Sequence, residues 1–146
     1  MPTVPPRNEA LYSEFELSQI DLGAAAKRAG IRLIELDDLG AKAQMPVAGN
    51  TQPHGSLNGG ATALLVETVA SVAANERARG LGKVAVGTNL SVSHLAGASE
   101  GAVVAQAQLL RPGNSSLTYR IEVVGEDGTL VSAGMVSCRL VTPRNS

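Results

Sequence analysis

The chain has 146 residues, 44% of them hydrophobic and 17% charged, the size and balance of one globular domain with a real core. A net charge of −1 and an aromatic complement limited to Tyr12, Phe15 and Tyr119 argue against a nucleic-acid partner, which needs a basic stripe and stacking platforms. One cysteine, Cys138, and two histidines, His54 and His94, provide no intramolecular disulfide and no ligand set at zinc spacing, so neither a metal nor a redox cofactor is expected.

In chain order, residues 1–20 read as a loose leader, rich in proline and polar groups at its start, and residues 21–146 as a single domain. No apolar run at the N-terminus has the form of a secretory signal, and no stretch is apolar enough to span a bilayer, so a cytoplasmic protein without a membrane partner is expected. Asp21 is placed to cap a short helix over 22–29, which Gly30 would terminate. Residues 31–36 and 39–47 make a hairpin through Asp37, Asp38 and Gly40. In its second arm Leu39, Ala41, Ala43, Met45 and Val47 alternate with polar residues at the period of a half-buried strand. Residues 48–58 are a loop by composition. A long helix then opens at Gly59 and Gly60, and small and aliphatic residues surround it on every side, the mark of a buried helix.

Four strands are predicted next. Val84, Val86, Leu90 and Val92 alternate along the first, Val103, Ala105, Ala107 and Leu109 along the second, and Leu117, Tyr119, Ile121 and Val123 along the third. Turn residues at 96–101, Arg111-Pro112-Gly113-Asn114 and Asp127-Gly128 separate the strands. A last strand over 130–141, apolar on both faces, belongs inside the sheet. The sum is an α+β chain in which an antiparallel hairpin and meander wrap one long buried helix.

One motif is a decoy. Gly97-Ala98-Ser99-Glu100-Gly101 spells the nucleophile elbow of serine hydrolases, yet it lies between two strands instead of a strand and a helix, and both histidines precede it. Ser99 is read as a turn residue. Glu67 is sharper, because a carboxylate in a buried helix is costly unless it is paired or put to use. Position alone leaves a functional carboxylate and one facing wet interface or arginine equally open. Ser71 follows it by four residues and shares its face. Gly59 and Gly60 put unpartnered amides and the positive end of the helix dipole at the N-terminus, where a carbonyl oxygen could develop negative charge. Eight residues separate Gly59 from Glu67, roughly 12 Å along the axis, too far for both to reach one carbonyl. If both act, they act from two subunits whose helices run antiparallel.

The run Gln52-Pro53-His54-Gly55-Ser56-Leu57-Asn58-Gly59-Gly60-Ala61, then Glu67-Thr68 and Ser71, resembles the signature of hot-dog-fold acyl-CoA thioesterases, most closely the PaaI-like branch. That branch includes Arthrobacter-type 4-hydroxybenzoyl-CoA and 1,4-dihydroxy-2-naphthoyl-CoA thioesterases. The resemblance runs from about Leu39 to Val141 and takes in Val86-Gly87-Thr88-Asn89, Arg111-Pro112-Gly113 and Glu126-Asp127-Gly128. It implies a hot-dog fold, a homodimer that in most relatives pairs into a homotetramer, and hydrolysis of an aryl-CoA or medium acyl-CoA thioester to free acid and CoA. Coenzyme A would enter only as part of the substrate. By match, Glu67 is the nucleophile or general base, the Gly59 amide polarises the thioester carbonyl, Gln52 orients it, and Ser71 supports the attacking group. Asn58 stands where relatives carry histidine; it can hydrogen-bond but cannot carry a proton. Substrate contacts would come from His54, in place of a common aromatic, from Gly60, and from Ser115, Ser116 and Arg144 toward the CoA nucleotide. The alternative reading is a non-catalytic acyl-CoA-binding or sensor domain.

Overall fold

A computed structural model describes residues 11–145; the first ten residues of the expected leader lie outside the described part. The leader's remainder is ordered in part. Ser13 caps a short helix α1 (Glu14–Ser18) through a capping box with Glu16, and Leu17 buries its side chain. Further on, Gly23, not Asp21, is the N-cap of α2 (Ala24–Ala29). Asp21 instead accepts a 2.8 Å hydrogen bond from the Gly23 amide, a local Asx turn that delays the helix. Gly30 ends α2 in the left-handed region at φ 76°, as its position predicts.

The period-two segments form one antiparallel sheet. The hairpin is β1 (Arg32–Asp37) and β2 (Gly40–Pro46), and after the long helix α3 (Gly59–Arg79) come β3 (Val84–His94), β4 (Ala102–Pro112), β5 (Ser116–Gly125) and β6 (Leu130–Val141). All six belong to one sheet in the order β1-β2-β4-β5-β6-β3. The expected four-strand meander is therefore corrected at one joint, because β3 pairs with β6 and not with β4. Both edges of β4 are taken, one by β5 and the other by β2, where Ala41, Ala43 and Met45 align with Ala107, Ala105 and Val103. Strand β3 is left as an edge. Strand β6, between β5 and β3, is interior as its two apolar faces imply.

The concave face of this sheet holds α3. Ala41, Ala43, Ala105 and Ala107 present small side chains to it, and Leu65, Val66, Val69, Ala70, Ala73 and Ala74 answer from the helix, all with no exposed surface. Small residues on both sides bring the helix close to the backbone of the strands. Among the described residues only Tyr119 buries a ring fully in this core, with Tyr12 packed against it half-buried. The helix is not buried all round within one chain: Leu64, Glu67, Thr68, Ser71, Val72 and Asn75 are only half-buried, so the uniformly apolar sequence has a second face still partly open.

One irregularity matters for the site. The register of β3 against β6 shifts between Gly87 and Asn89, a bulge that inserts one residue and inverts the alternation beyond it. Partners across a sheet share a face. Ala85 and Gly87 oppose Leu140 and Cys138, and after the bulge Leu90, Val92 and His94 oppose Val136, Gly134 and Ser132. The expected single face of Val84, Val86, Leu90 and Val92 is thus split. By this pairing Val84 and Val86 point away from the helix, whereas Leu90, Val92 and His94 lie on the helix side, where the edge position still leaves Leu90 and His94 exposed.

Candidate active site

Three side chains fix the start of α3. Asn50 donates from Nδ2 to the carbonyls of Ala29 and Pro46, each at 2.8 Å, which ties the loop 48–58 to the body of the domain. Within it Leu57 is buried and donates its amide to the Ala98 carbonyl at 2.7 Å. Asn58 is the N-cap of α3, and its Oδ1 accepts from the amides of Gly60 at 2.7 Å and Ala61 at 3.1 Å. Two of the orphan donors are consumed in this way. The Gly59 amide has no partner among the described residues, so the first helical residue alone keeps an open donor on the dipole's positive end.

Gln52 folds its side chain back on its own turn, Oε1 accepting from the His54 amide at 2.5 Å. With that oxygen engaged, the free hydrogen-bonding group of Gln52 is its NH2, a donor. The His54 side chain is exposed on the loop. The imidazole beside Gly59 is that of His94: a methyl group built on Gly59 would lie 2.8 Å from His94 Nε2. His94 Nδ1 pairs at 2.9 Å with Oγ of Ser132, which is fully buried, so one ring nitrogen is anchored while the other faces the helix start. Simple alternation could not assign His94 to the helix side, because the bulge between Gly87 and Asn89 reverses the parity of the strand end that carries it.

Glu67 lies about two turns and Ser71 about three turns further along α3. They line a cavity of about 390 Å³ together with Thr68, Val72 and Asn75 of the helix and Ile20, Asp21 and Leu22 of the N-terminal segment. That segment is tethered by Tyr12, whose hydroxyl donates to Glu76 Oε1 at 2.5 Å and accepts from Arg79 at 2.7 Å. The hydrogen bond to Glu76 also holds the Tyr12 phenol above its ordinary pKa. The contribution of Ile20 and Leu22 has no counterpart in the sequence reading, which treats residues up to 20 as a leader. Glu67 forms no hydrogen bond or ion pair among the described residues, and no arginine among them pairs with it. Cys138, across the sheet from Gly87, is buried, and burial followed by the charge of Glu67 pushes its thiol up to about 11. It stays a thiol at neutral pH and is no nucleophile.

The remaining expected residues lie elsewhere. Ser116 lines a groove of about 370 Å³ with Arg111, Pro112, Gly113, Asn114 and Thr118. Ser115 is exposed beside it, its carbonyl accepting from the Leu140 amide at 2.8 Å, and Arg144 is exposed beyond β6. Gly60 is exposed at the helix start. Gly97 to Gly101 is a loop between β3 and β4, so Ser99 has no elbow. Among the described residues no three His, Cys, Asp or Glu side chains gather as metal ligands, and no helix is long and apolar enough to cross a membrane. Within one chain, then, the helix start (Gln52, Asn58, Gly59, His94) and the carboxylate (Glu67, Ser71) are two half-sites one above the other on α3.

A model of the thioesterase superfamily matches residues 54–132, from the loop histidine through the anchoring Ser132. The chain belongs to the thioesterase superfamily. Among curated members, the proofreading thioesterase EntH of Cronobacter turicensis is 37% identical over 113 residues, covering 77% of this chain and 82% of that one. Among solved structures, thioesterase HI1161 of Haemophilus influenzae superimposes with a TM-score of 0.81 at 26% identity, covering 90% of this chain and 92% of the other. The PaaI protein of the E. coli phenylacetic acid degradation operon does so with a TM-score of 0.76 at 26% identity, covering 85% and 88%. The six-stranded sheet around one long helix is the hot-dog fold of these thioesterases, and this superfamily member is a thioester hydrolase.

Proposed function

We propose that the protein hydrolyses acyl-CoA thioesters and that its active site forms between two copies of the chain. The observation that carries this reading is the pair of half-sites on α3: an open amide at Gly59 and an unpaired, half-buried carboxylate at Glu67, about 12 Å apart along one axis at 1.5 Å per residue. Neither completes a hydrolytic site alone. Antiparallel packing of two α3 helices through their open faces brings Glu67 of one beside Gly59 of the other, and two-fold symmetry then makes two equivalent sites.

In such a site the Gly59 amide meets the thioester oxygen and stabilises the charge it gains. The NH2 of Gln52 is a second donor to that oxygen, and His94 Nε2 lies close enough to the Gly59 backbone to contact the same group. Glu67 either takes the proton from a water that attacks the carbonyl carbon or attacks it itself, while Ser71, one turn on, supports the attacking group. The tetrahedral adduct then breaks its C–S bond and releases CoA as a thiolate that takes up a proton; in the second case water cleaves the resulting anhydride to free acid and the Glu67 carboxylate. The acyl chain occupies the cavity under Ile20 and Leu22. Its walls carry no aromatic ring, which suits a medium aliphatic chain or an aryl group held by aliphatic contact. The Arg111–Thr118 groove, with a guanidinium at its rim, suits the phosphates of CoA, and Ser115, Ser116 and Arg144 lie toward that end. Asn58 acts here through the cap it places on α3. The test is a free-thiol release assay on benzoyl-, phenylacetyl-, naphthoyl- and aliphatic CoA esters. Turnover of at least one ester, lost in Glu67→Ala, is expected. Equal and slow reaction of both proteins on every ester would refute hydrolysis of CoA esters, and tight binding without turnover would favour an acyl-CoA-binding domain instead.

A further inference from the structure

We infer that Gly87, on the edge strand, is a positioning residue for the Glu67 carboxylate, an inference that rests on the reading of Glu67 as the attacking group or base. The carboxylate of Glu67 occupies the place where any other residue at 87 would carry its Cβ. A methyl group built there overlaps Glu67 Oε1 and lies 3.3 Å from the carboxyl carbon. The glycine is not required by its backbone, since Gly87 is outside the set of positive-φ glycines and an alanine could adopt its conformation. The space is what glycine provides.

Two neighbouring features hold this notch at the right height. Asn75, two turns beyond Glu67 on α3, grips the edge strand at Ala85 in both directions: Oδ1 accepts from the Ala85 amide at 2.9 Å and Nδ2 donates to the Ala85 carbonyl at 3.3 Å. These bonds substitute for a neighbouring strand and lock the register between α3 and β3. Immediately after Gly87 the bulge bends β3, so the inward-facing row is interrupted beside the carboxylate. Since Glu67 has no hydrogen bond or ion pair among the described residues, packing against this backbone notch is what limits the swing of its three side-chain torsions. A reacting group must sit within about 3 to 3.5 Å of its target, and a displacement of about 1 Å costs on the order of 100-fold in rate. Filling the notch forces a displacement of that order in the carboxylate alone, since the three heavy atoms nearest the added methyl all belong to Glu67; the other walls of the cavity and the helix start are left in place.

The experiment is Gly87→Ala, measured for melting temperature, for binding of a non-hydrolysable thioether analogue of an accepted CoA ester, and for kcat and KM on the ester itself. Because the atom met is the far end of a flexible side chain, the fold is expected to hold. The expected result is a kcat lower by about 10- to 100-fold, with analogue affinity and KM within about threefold of wild type. A second comparison is insensitive to any loss of stability: in a Glu67→Asp background the carboxylate ends one methylene short, so adding Gly87→Ala is expected to cost no further kcat. Wild-type kcat in Gly87→Ala, or an equal loss in both backgrounds, would overturn the proposal. Failure of the underlying reading looks different, because a fully active Glu67→Ala would remove the carboxylate from the reaction, whereas an inactive Glu67→Ala beside a fully active Gly87→Ala removes only the role given to the glycine.

Discussion

If the two half-sites come from different chains, two inactive variants must restore each other. Gly59→Pro is suited to one side of this test, because it deletes the open amide at the first helical position, where proline is well tolerated. Asn58 before it already has extended backbone at φ −68° and ψ 131°, as a residue preceding proline requires, and the added Cβ meets the His94 ring, so the variant disables the amide and the imidazole of the same half-site together. Loss of one oxyanion donor lowers kcat by about 100- to 1000-fold. Glu67→Ala supplies the other side. When the two proteins are unfolded together and refolded in equal amounts, about half of the dimers are mixed if assembly is random. Each mixed dimer has one site with both defects and one with neither, so the pool recovers about a quarter of wild-type activity. That gain over either parent is tens-fold or more, and thiol release reads it directly. If the mixture showed no more than the average of its parents, Gly59 and Glu67 would belong to a site within one chain and the cross-subunit geometry would be wrong; a strictly monomeric active enzyme in size-exclusion chromatography would refute it as well.

Four further outcomes follow from the same structure. Removing the cap in Asn58→Ala exposes the Gly60 and Ala61 amides and should cost about 1 kcal/mol of stability, with Asn58→Asp restoring most of it, measured by denaturant unfolding. In His94→Ala the Ser132 hydroxyl loses its ring partner and the helix start its imidazole, so a fall in kcat/KM is expected without a change in oligomeric state; unaltered kinetics would separate His94 from the reaction, while His54→Ala tests the exposed loop histidine in the same assay. Gly134→Ala would drive a methyl group into the backbone carbonyl of Ser91 and to 3.1 Å from the Val92 Cα, and because backbone cannot yield as a side chain does, about 1 to 3 kcal/mol should be lost, seen as a lower melting temperature. For Cys138 the sign is set by a folded thiol pKa of about 11 against an ordinary thiol value of 9.0. Its contribution is complete below pH 9 and is lost as the unfolded chain ionises and pH rises toward 11, so Cys138→Ala should have a flatter stability profile across that alkaline window.

Much of the fold is legible in the sequence because the alternation is strong and the turns are chemically explicit. Ala41, Ala43 and Met45, then Val103, Ala105 and Ala107, then Leu117, Tyr119, Ile121 and Val123 alternate as half-buried strands do, and each is fully buried. What the pattern cannot carry is which edge a strand chooses. Nothing local tells β3 to pair with β6, because that choice follows from β2 having occupied β4. The bulge at Gly87 is equally silent, since Val84, Val86, Leu90 and Val92 keep perfect period two in sequence while the chain inserts one residue between the two pairs. For the same reason His94 escapes notice and His54 draws it: the first gains its place from a parity change, the second from a motif.

On the proposed reading, Asn58 caps α3 while His94 brings an imidazole to the same helix end. An asparagine at an N-cap accepts two amides, which stabilises the helix and removes those amides from competition for the substrate oxygen, leaving Gly59 alone to donate. A histidine at that position would bring a ring that can hold a proton, and this chain has such a ring at the same end of α3, delivered from the sheet by His94 and fixed by Ser132. Asn58→His therefore places two imidazoles at one helix start, at the cost of a poorer cap. The expected signature is a lower melting temperature together with a kcat that becomes less sensitive to His94→Ala than in the wild-type background. A double-mutant cycle over positions 58 and 94 measures that coupling. Strict additivity would mean that the two positions do not share a role, and His94 would then be only a partner for the buried serine.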